Sequence, residues 1–281
     1  MDQYEFDGKT VLVTGGSTGI GEAFARRLSE LGARVILVAR SEVRLKNLSQ
    51  MLPNSDYVAL DLTQPGACQQ LCHELEHRQR QVDVLINNAG FATYGSLTQV
   101  SLSEQLAQID LNVRALVELC HLLLPTIEQR GGAVLNVAST ASFQPVPFMA
   151  VYAATKAFVL SFSEALWAEY RSRGVRIVAL CPGATRTPFF TRVGEEAAFG
   201  TKADPRAVAE LGLRSLSRGT PSVIHGFANA FMVFISRLVP RAFMAKLTAR
   251  LMHPDARRKA IATTGATGNG FRFTASTRSR Q

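Results

Sequence analysis

Short apolar runs alternate with longer segments of helical periodicity along the first 225 positions of the chain. Each run is four to six residues long and is bounded by glycine, proline or polar residues, which is the pattern of a buried strand. The predicted strands cover residues 9–14, 34–39, 57–60, 82–86, 133–138, 175–180 and 222–225. The predicted helices lie between them: one ends near residue 31, one surrounds residue 45, and the others cover residues 65–79, 102–129, 152–173 and 205–216. This alternation predicts an α/β fold: a doubly wound parallel sheet of about seven strands, with right-handed crossovers and helices on both faces.

Residues 226–252 carry a different pattern, in which apolar and basic residues crowd together and Pro240 divides the segment. The apolar run is too short to span a bilayer. Three interpretations stay open: a pair of interfacial membrane helices, a cover over a binding pocket, or a contact with a second subunit. Residues 253–281 have few apolar positions and are predicted to be a disordered basic tail. The chain is thus expected to comprise one domain over residues 1–225, a helical extension and a tail.

The net charge of +9 lies entirely at the C-terminal end of the chain. Residues 1–236 hold 21 basic and 21 acidic residues, whereas residues 237–281 hold ten basic residues and one acid, so 10 − 1 accounts for the whole charge. A basic end after a neutral body indicates an anionic partner such as membrane lipid or nucleic acid, or else a solvated tail. Of these we retain peripheral membrane contact and expect no nucleic-acid partner.

The remaining composition argues against secretion and against a metal site. The first eight residues carry three acids and no apolar run, so neither a secretory signal nor an anchor is expected, and a cytoplasmic location, with membrane association as an option, is predicted. The histidines are scattered, and no cysteine has metal-ligand spacing. The four cysteines are therefore expected to be reduced structural thiols: Cys68, Cys72, Cys120 and Cys181.

A glycine-rich loop follows the first predicted strand and opens the first predicted helix. Strand, glycine loop and helix in this order are the context of a dinucleotide-binding fingerprint. Its glycines allow a tight turn, a close approach to a pyrophosphate and close helix packing, with the helix N-terminus facing the phosphates. The predicted binding residues of this loop are Gly15, Ser17, Thr18, Gly19, Ile20 and Gly21.

The second predicted strand ends without the acid that normally holds a ribose 2′-hydroxyl. Arg40 and Ser41 stand there instead, and a guanidinium beside a hydroxyl suits a 2′-phosphate. The sequence therefore favours NADP(H), with NAD(H) as the alternative. The competing interpretation of Arg40 is an ordinary surface residue at the start of a helix.

Further polar residues fall at the carboxyl ends of strands, where ligands bind in such sheets. Asp61 follows the third strand, residues 87–90 follow the fourth, and Ser139 follows the fifth. Tyr152 and Lys156 lie one turn apart on the next helix and share a face. The ammonium of Lys156 is expected to lower the pKa of the Tyr152 phenol, which is otherwise too high for proton transfer near neutrality.

These residues together resemble the short-chain dehydrogenase/reductase family. The resemblance runs from about residue 9 to residue 187, in the order of the family's motifs. It rests on the motif over residues 14–21, Asp61, residues 87–90, Asn112, Ser139, residues 152–156, and Pro182 with Gly183. One departure is that the glycine loop lacks the basic residue that many NADP-preferring relatives carry. The expected NADP preference therefore depends on Arg40.

The resemblance implies a Rossmann-type fold and roles for individual residues. It implies a catalytic tetrad of Asn112, Ser139, Tyr152 and Lys156, in which Asn112 positions a water. It also implies that the segment after residue 188, up to Gly200, forms a lid. Besides the glycine loop and Arg40, it implies cofactor contacts from Asp61, Leu62, Asn88, Ala89, Gly90, Tyr152, Lys156, Pro182, Gly183, Thr185 and Thr187.

The implied activity is reduction of a ketone or aldehyde to an alcohol by hydride transfer, with Tyr152 as general acid. Aromatic residues near the expected cleft indicate either an apolar substrate or ordinary packing; they are Phe91, Tyr94, Phe143, Phe148 and Phe189. The alternatives are an alcohol dehydrogenase running in the oxidative direction and a dinucleotide-binding scaffold without turnover. A homodimer or homotetramer is expected.

Overall fold

The sheet predicted from the sequence is present in the computed structural model, which describes residues 4–198 and 200–255. Seven parallel strands form one sheet in the order β3-β2-β1-β4-β5-β6-β7. The strands are β1 Thr10–Thr14, β2 Arg34–Ala39, β3 Ser55–Ala59, β4 Val84–Asn87, β5 Ala133–Val137, β6 Arg176–Cys181 and β7 Ser222–Ile224. The strand order reverses at β1 and β4, so their carboxyl ends open the crevice in which such sheets bind ligands.

Ten α-helices connect and extend the strands of the described chain. They are α1 Gly19–Glu30, α2 Glu42–Met51, α3 Ala67–His77, α4 Leu102–Ile109, α5 Ala115–Gln129, α6 Ala150–Tyr170, α7 Phe189–Val193, α8 Pro205–Arg218, α9 Phe227–Leu238 and α10 Arg241–Leu251. The strand and helix boundaries differ from the predicted ones by a few residues. The third strand, for example, begins at Ser55 because its backbone already pairs with Val35 of β2.

Helices cover both faces of the sheet, as the alternating pattern predicted. One buried apolar cluster joins α1, α2 and α8 to the sheet and includes the fully buried Phe24. The other joins α3, α5 and α6 to the opposite face and includes the fully buried Leu119. Because both faces are covered, the strands are apolar almost throughout, as in other buried parallel sheets.

The predicted continuous helix over residues 102–129 is interrupted around Asn112. A π-helical turn, Asp110–Arg114, separates α4 from α5 and holds the buried Asn112 side chain. Such turns insert one residue into a helix and commonly mark functional sites. The helical periodicity over residues 102–129 did not reveal this turn.

The C-terminal extension forms two helices that Pro240 separates, as predicted. Before them, Asp204 caps α8 by accepting a hydrogen bond from the Arg206 N–H at 2.8 Å, and Pro205 occupies the first helical position. All four cysteines are free thiols. Within the described residues, no helix is long and apolar enough to cross a membrane. The predicted disordered tail lies almost entirely outside the described residues.

Candidate active site

Hydrogen bonds between Thr14 and Asn88 tie the glycine loop to the end of β4. The Thr14 hydroxyl accepts from the backbone N–H groups of Asn88 and Ala89, both at 3.0 Å. In return the Asn88 side-chain amide donates to the carbonyl oxygens of Thr14, at 2.9 Å, and Gly15, at 3.2 Å. The two adjacent strand ends are therefore held in register. Sequence interpretation missed Thr14 as a supporting residue, since its partners lie more than 70 positions away.

The glycine loop leaves no room for side chains at its turn. A Cβ at Gly21 would lie 2.2 Å from the Gly15 carbonyl oxygen, and Gly15 itself has a φ of +64°. Among the described residues, Thr18 makes no side-chain hydrogen bond to the first turn of α1. Exposed backbone N–H groups at the positive end of a helix, with close backbone approach, suit the pyrophosphate of a dinucleotide.

Two arginines and a serine lie at the end of β2. Arg40 and Ser41 are exposed there, and Arg44 joins them from the first turn of α2. Two guanidinium groups and a hydroxyl are a donor set that suits a phosphate monoester. Sequence interpretation placed Arg44 only in the helix and missed its contribution to this corner; its position in the first helical turn after Arg40 was the available signal.

Asp61 and Leu62 follow β3 at the same edge. The Asp61 carboxylate accepts from the Thr63 N–H at 3.0 Å and from the Thr63 hydroxyl at 2.8 Å. Arg114 fixes this turn from the π-helical segment by donating to the Thr63 carbonyl oxygen at 2.7 Å. The turn therefore holds the Asp61 side chain at the sheet edge while Leu62 is buried beside it.

Ser139 and Tyr152 meet on the next strand-to-helix connection. Ser139 follows β5 and caps a 3-10 turn, Thr140–Phe143, by accepting from the Ala141 N–H at 3.1 Å. Tyr152 lies in the first turn of α6. Burial raises the pKa of Tyr152, and a hydrogen bond with Ser139 offsets part of that effect. The phenol therefore keeps its proton at neutral pH.

Lys156 lies beneath Tyr152 and is buried. Its ammonium donates to the Val137 carbonyl oxygen at 2.7 Å and lies 6.0 Å from the centroid of the Tyr152 ring. Burial lowers the pKa of Lys156 from 10.5 to about 8. The pKa of Tyr152 is nevertheless raised overall, because burial of the phenol is the largest effect on it. The expected lowering of that pKa by Lys156 stays a prediction. Sequence spacing places the two groups together but carries no information on their burial.

The Asn112 side chain is fully engaged with the protein. Its carbonyl oxygen accepts from the Phe91 N–H at 3.1 Å, and its NH₂ group donates to the Phe91 carbonyl oxygen at 3.0 Å and to the Thr155 hydroxyl at 3.1 Å. It thus joins the loop after β4 to helix α6. The implied role in positioning a water stays a prediction, and the amide itself acts here as a structural link beside Gly90 and Lys156.

A buried chain of polar side chains lies under the site. The Asn87 amide donates to Asn136 at 2.9 Å, and the Asn136 amide donates to the Ser163 hydroxyl at 2.9 Å. Ser163 in turn donates to the Val159 carbonyl oxygen at 2.6 Å. The chain connects β4, β5 and α6, three elements that supply site residues, and a satisfied buried network of this kind fixes their relative positions. Sequence interpretation missed this chain.

The segment after β6 closes over the glycine loop. Thr185 is buried, and its hydroxyl donates to the Gly183 carbonyl oxygen at 3.0 Å. Thr187 contacts the loop directly, since a Cβ at Gly19 would lie 2.9 Å from its side chain. The predicted lid is built from α7 and a 3-10 turn, Glu195–Ala197, and the Phe189 ring lies 5.8 Å from the Tyr152 ring.

One cavity of about 950 Å³ joins these groups. Of the predicted site residues, those at its wall are Gly15, Ser17, Thr18, Gly19, Ile20, Arg40, Asp61, Leu62, Asn88, Ala89, Gly90, Ser139, Tyr152, Lys156, Pro182, Gly183, Thr185 and Thr187. Gly21 and Asn112 support the site from behind. Phe91 and Phe189 line the cavity, whereas Tyr94, Phe143 and Phe148 do not.

Helices α9 and α10 form the roof of this cavity. Val233 of α9 is buried against it, and Phe243 and Leu247 of α10 line its outer part. The roof is fastened by two hydrogen bonds, from the Tyr94 hydroxyl to the Met252 carbonyl oxygen at 2.7 Å and from the Thr248 hydroxyl to the Pro145 carbonyl oxygen at 3.1 Å. This packing is the arrangement that the interpretation as a cover over the pocket describes, and the interpretations as a membrane or subunit contact stay open beside it.

The profile of the short chain dehydrogenase family matches residues 9–198. The chain belongs to the short-chain dehydrogenase/reductase family. It is 36% identical over 182 residues to serine 3-dehydrogenase from Rhizobium radiobacter, covering 64% of this chain and 73% of that protein. Members of the family are oxidoreductases that use nicotinamide nucleotides, so this short-chain dehydrogenase/reductase is an enzyme of that class.

Solved structures of relatives superpose on most of the chain. A short-chain dehydrogenase from Sphingobium yanoikuyae in complex with NADPH is 30% identical, with a TM-score of 0.73, covering 96% of this chain and 98% of that one. A 3-ketoacyl-(acyl-carrier-protein) reductase from Brucella melitensis complexed with NADH is 28% identical, with a TM-score of 0.71, covering 79% and 98%. Both cofactors therefore occur among structural relatives of this short-chain dehydrogenase/reductase.

Proposed function

We propose that this short-chain dehydrogenase/reductase is an NADP(H)-dependent reductase that converts an apolar ketone or aldehyde to an alcohol. The observation that carries the proposal is the meeting of Ser139, Tyr152 and Lys156 in the wall of the same cavity as the glycine loop. The space proposed for a dinucleotide is then bordered by a proton donor (Tyr152), a hydroxyl that orients the carbonyl (Ser139) and a cation (Lys156).

Each of the three residues has a chemical task in this proposal. The Tyr152 phenol donates its proton to the substrate oxygen as negative charge develops there. Ser139, which lines the same cavity as Tyr152, orients that oxygen. Lys156, positively charged below a pH of about 8, stabilises the phenolate that Tyr152 becomes. A bound nicotinamide nucleotide supplies the hydride, and the residues that hold it are those of the glycine loop, Asp61 and the segment after β6.

The protonated state of Tyr152 at neutral pH is the one that the reductive direction requires. A phenol that keeps its proton at neutral pH is ready to act as an acid, whereas oxidation of an alcohol needs the phenolate first. The oxidative direction, which uses the same residues, is the alternative outcome of the test below.

The side chains around Tyr152 support an apolar substrate. Phe189 and Phe190 of α7, Met149 before α6 and the inner faces of α9 and α10 surround the substrate end of the cavity. Such a wall favours an apolar substrate, because each Å² of apolar surface removed from water contributes about 25 cal/mol to the free energy of binding.

The corner at the end of β2 supports NADP(H). Arg40 and Arg44 offer two guanidinium groups. One carboxylate, that of Glu42 at the start of α2, lies between them in the chain. A 2′-phosphate pairs well with two arginines, whereas a 2′-hydroxyl would leave both charges without a partner.

We also propose that the protein associates with copies of itself. On α4, Leu102, Leu106 and Ile109 follow one another at helical spacing and are 69, 51 and 41% exposed. Helix α4 packs on α6, where Phe158 is 41% exposed. Exposed apolar side chains on two helices that pack together suit a self-complementary interface.

A panel of aliphatic aldehydes, ketones and alcohols with NADPH and NADH tests the proposal. We expect NADPH-dependent reduction, and we expect Tyr152→Phe to lower kcat by about a hundredfold or more, since general acid catalysis contributes on that scale. The matched control is Tyr57→Phe on β3, which is expected to keep full activity. Oxidation of alcohols without carbonyl reduction would reverse the direction, and cofactor binding without any turnover would favour a dinucleotide-binding scaffold.

A further inference from the structure

Helix α9 is apolar on two opposite faces. One face carries Phe227, Phe231, Phe234 and Leu238, spaced by four, three and four residues, so that at 3.6 residues per turn they form a single line. These four side chains are 87, 57, 59 and 68% exposed. We call this line the outer stripe.

The opposite face of the same helix lines the cavity. Asn229, Met232, Val233 and Ser236 belong to that wall, whereas no residue of the outer stripe does. The outward face of this helix is as apolar as its packed face. Such a helix is expected where a further apolar surface, of a protein or a membrane, covers the outward face. The packing of the described residues therefore does not account for the apolar outer stripe.

The charge of α9 and α10 distinguishes between a second protein copy and a membrane as the cover of the outer stripe. Arg237, Arg241, Lys246 and Arg250 lie at the end of α9 or on α10, and neither helix contains an acidic residue. A symmetric contact with a second copy would bring this patch against itself, so that cations would face cations. The water–lipid interface of an anionic membrane accepts both kinds of side chain, since aromatic and aliphatic groups enter it and basic groups pair with the lipid phosphates and carboxylates.

We propose that α9 and α10 dock on the surface of an anionic lipid bilayer through the outer stripe and the four basic residues. The same two helices roof the substrate cavity, so docking places the roof at the lipid boundary. Phe243, Leu247 and Leu251 of α10 line the cavity and are still 58, 39 and 43% exposed, which makes an apolar rim at its outer part.

The docked roof also identifies the source of the substrate, a step that rests on the proposed reductase activity. An apolar carbonyl compound concentrates in the bilayer rather than in water. A cavity whose rim is apolar and lies at that boundary receives such a compound without full transfer through water. The substrate class is thus a membrane-dissolved ketone or aldehyde with a long apolar chain or ring system.

Vesicle flotation with the full-length chain tests docking without reference to turnover. The vesicles are phosphatidylcholine alone and phosphatidylcholine with phosphatidylserine, at low and high salt. We expect flotation with the anionic vesicles at low salt and its loss at high salt. Tyr152→Phe, which removes the proposed proton donor, should float like the wild type, so failure of the activity and failure of docking are separate results.

Two double variants separate the apolar and the basic contributions. Phe231→Ser with Phe234→Ser should weaken partitioning by about tenfold or more for each phenylalanine. Arg241→Glu with Lys246→Glu should weaken it about fivefold or more for each cation. The matched control is Val43→Ser with Met51→Ser on α2, where two apolar side chains are 71 and 65% exposed, and it should float like the wild type.

The Phe231 and Phe234 double variant should also keep its rate with a short, water-soluble aldehyde and lose rate with a long-chain aldehyde carried in the vesicles. Equal flotation of this variant and the wild type would overturn the proposal, as would wild-type protein that stays at the bottom with anionic vesicles. A lower oligomeric mass of the double variant in sedimentation would also overturn it, because a second copy would then be what covers the stripe.

Discussion

Thr14 and Asn88 hold one another through both backbone and side chain, at distances of 2.9 to 3.0 Å. One residue ends the first strand and the other follows the fourth, so the pair joins the two strand ends at the crevice where the strand order reverses. The glycine loop is shaped by this contact as much as by its glycines, since the Asn88 amide also holds the Gly15 carbonyl oxygen.

Removal of the Thr14 hydroxyl is expected to loosen the loop. In Thr14→Val the Ala89 N–H loses its acceptor, and the Asn88 N–H keeps only the Ile86 carbonyl oxygen, at 3.1 Å. A donor left without a partner away from water costs about 1 to 3 kcal/mol. We expect a lower melting temperature and weaker NADPH binding by calorimetry. Thr14→Ser keeps the hydroxyl and should restore most of both. A Val variant that binds NADPH as tightly as the wild type would show that the glycines alone shape the loop.

The pH dependence of reduction is expected to report Lys156. Its pKa is lowered to about 8 by burial, so the ammonium is charged below pH 8 and neutral above it. Loss of that charge removes the cation that stabilises the Tyr152 phenolate, and kcat/KM should therefore fall as pH rises through about 8, approaching tenfold for each pH unit.

Lys156→Arg is the control for this assignment, because arginine stays protonated throughout the accessible range. Its absolute rate is expected to be lower, and its alkaline limb should move to higher pH. A limb that stays near pH 8 in the variant would assign the titration to another group. Circular dichroism checks that the larger side chain leaves the fold intact.

Selectivity between the two cofactors is expected to depend on the β2 corner. Arg40→Asp replaces a phosphate donor by an acid, and the ratio of kcat/KM for NADPH to that for NADH should fall about ten- to hundredfold, the scale of a charged hydrogen bond. Lys46→Asp makes the same change of charge elsewhere on α2 and should leave the ratio unchanged. An equal fall of this ratio in both variants would mean that the change of net charge, rather than a contact of Arg40 with the phosphate, determines the preference.

Self-association is expected to depend on the exposed apolar line of α4. Leu106→Glu places a charge in the middle of that surface and should convert the assembly to a single-chain mass in analytical ultracentrifugation. Val43→Glu, at a more exposed apolar position on α2, should leave the mass unchanged. A wild-type protein that is already a single chain at micromolar concentration would contradict the proposed interface.

Local patterns in the sequence were sufficient for the fold and for part of the candidate site. The strands follow from short apolar runs, the glycine loop from its place between strand and helix, and the pairing of Tyr152 with Lys156 from their separation by one helical turn. These features depend on neighbours within a few positions. The place of Ser139 after the fifth strand marked it as a candidate, and the family resemblance then implied catalytic roles for Ser139 and Asn112. The structure brings Ser139 to the cavity wall.

Features that depend on distant contacts were not accessible to the same reasoning. The Asn87, Asn136 and Ser163 chain joins residues 27 to 49 positions apart, and no local pattern distinguishes it from three ordinary polar residues. The pKa of Tyr152 depends on how deeply α6 is packed, which spacing does not contain. Apolar content of α9 was evident, but its division into a packed face and an outward face needed the position of the cavity.

The roof of the cavity is the last described part of the chain. This order separates the residues proposed to carry out the reaction from those proposed to determine substrate range and membrane affinity. Every residue with an assigned chemical task precedes Pro188, whereas the roof begins after Gly226 and is fastened by two hydrogen bonds. A single genetic crossover near Gly226 would exchange the roof and leave the proton donor untouched. Substrate range and membrane affinity would then be inherited together, as one exchangeable module, independently of the chemistry.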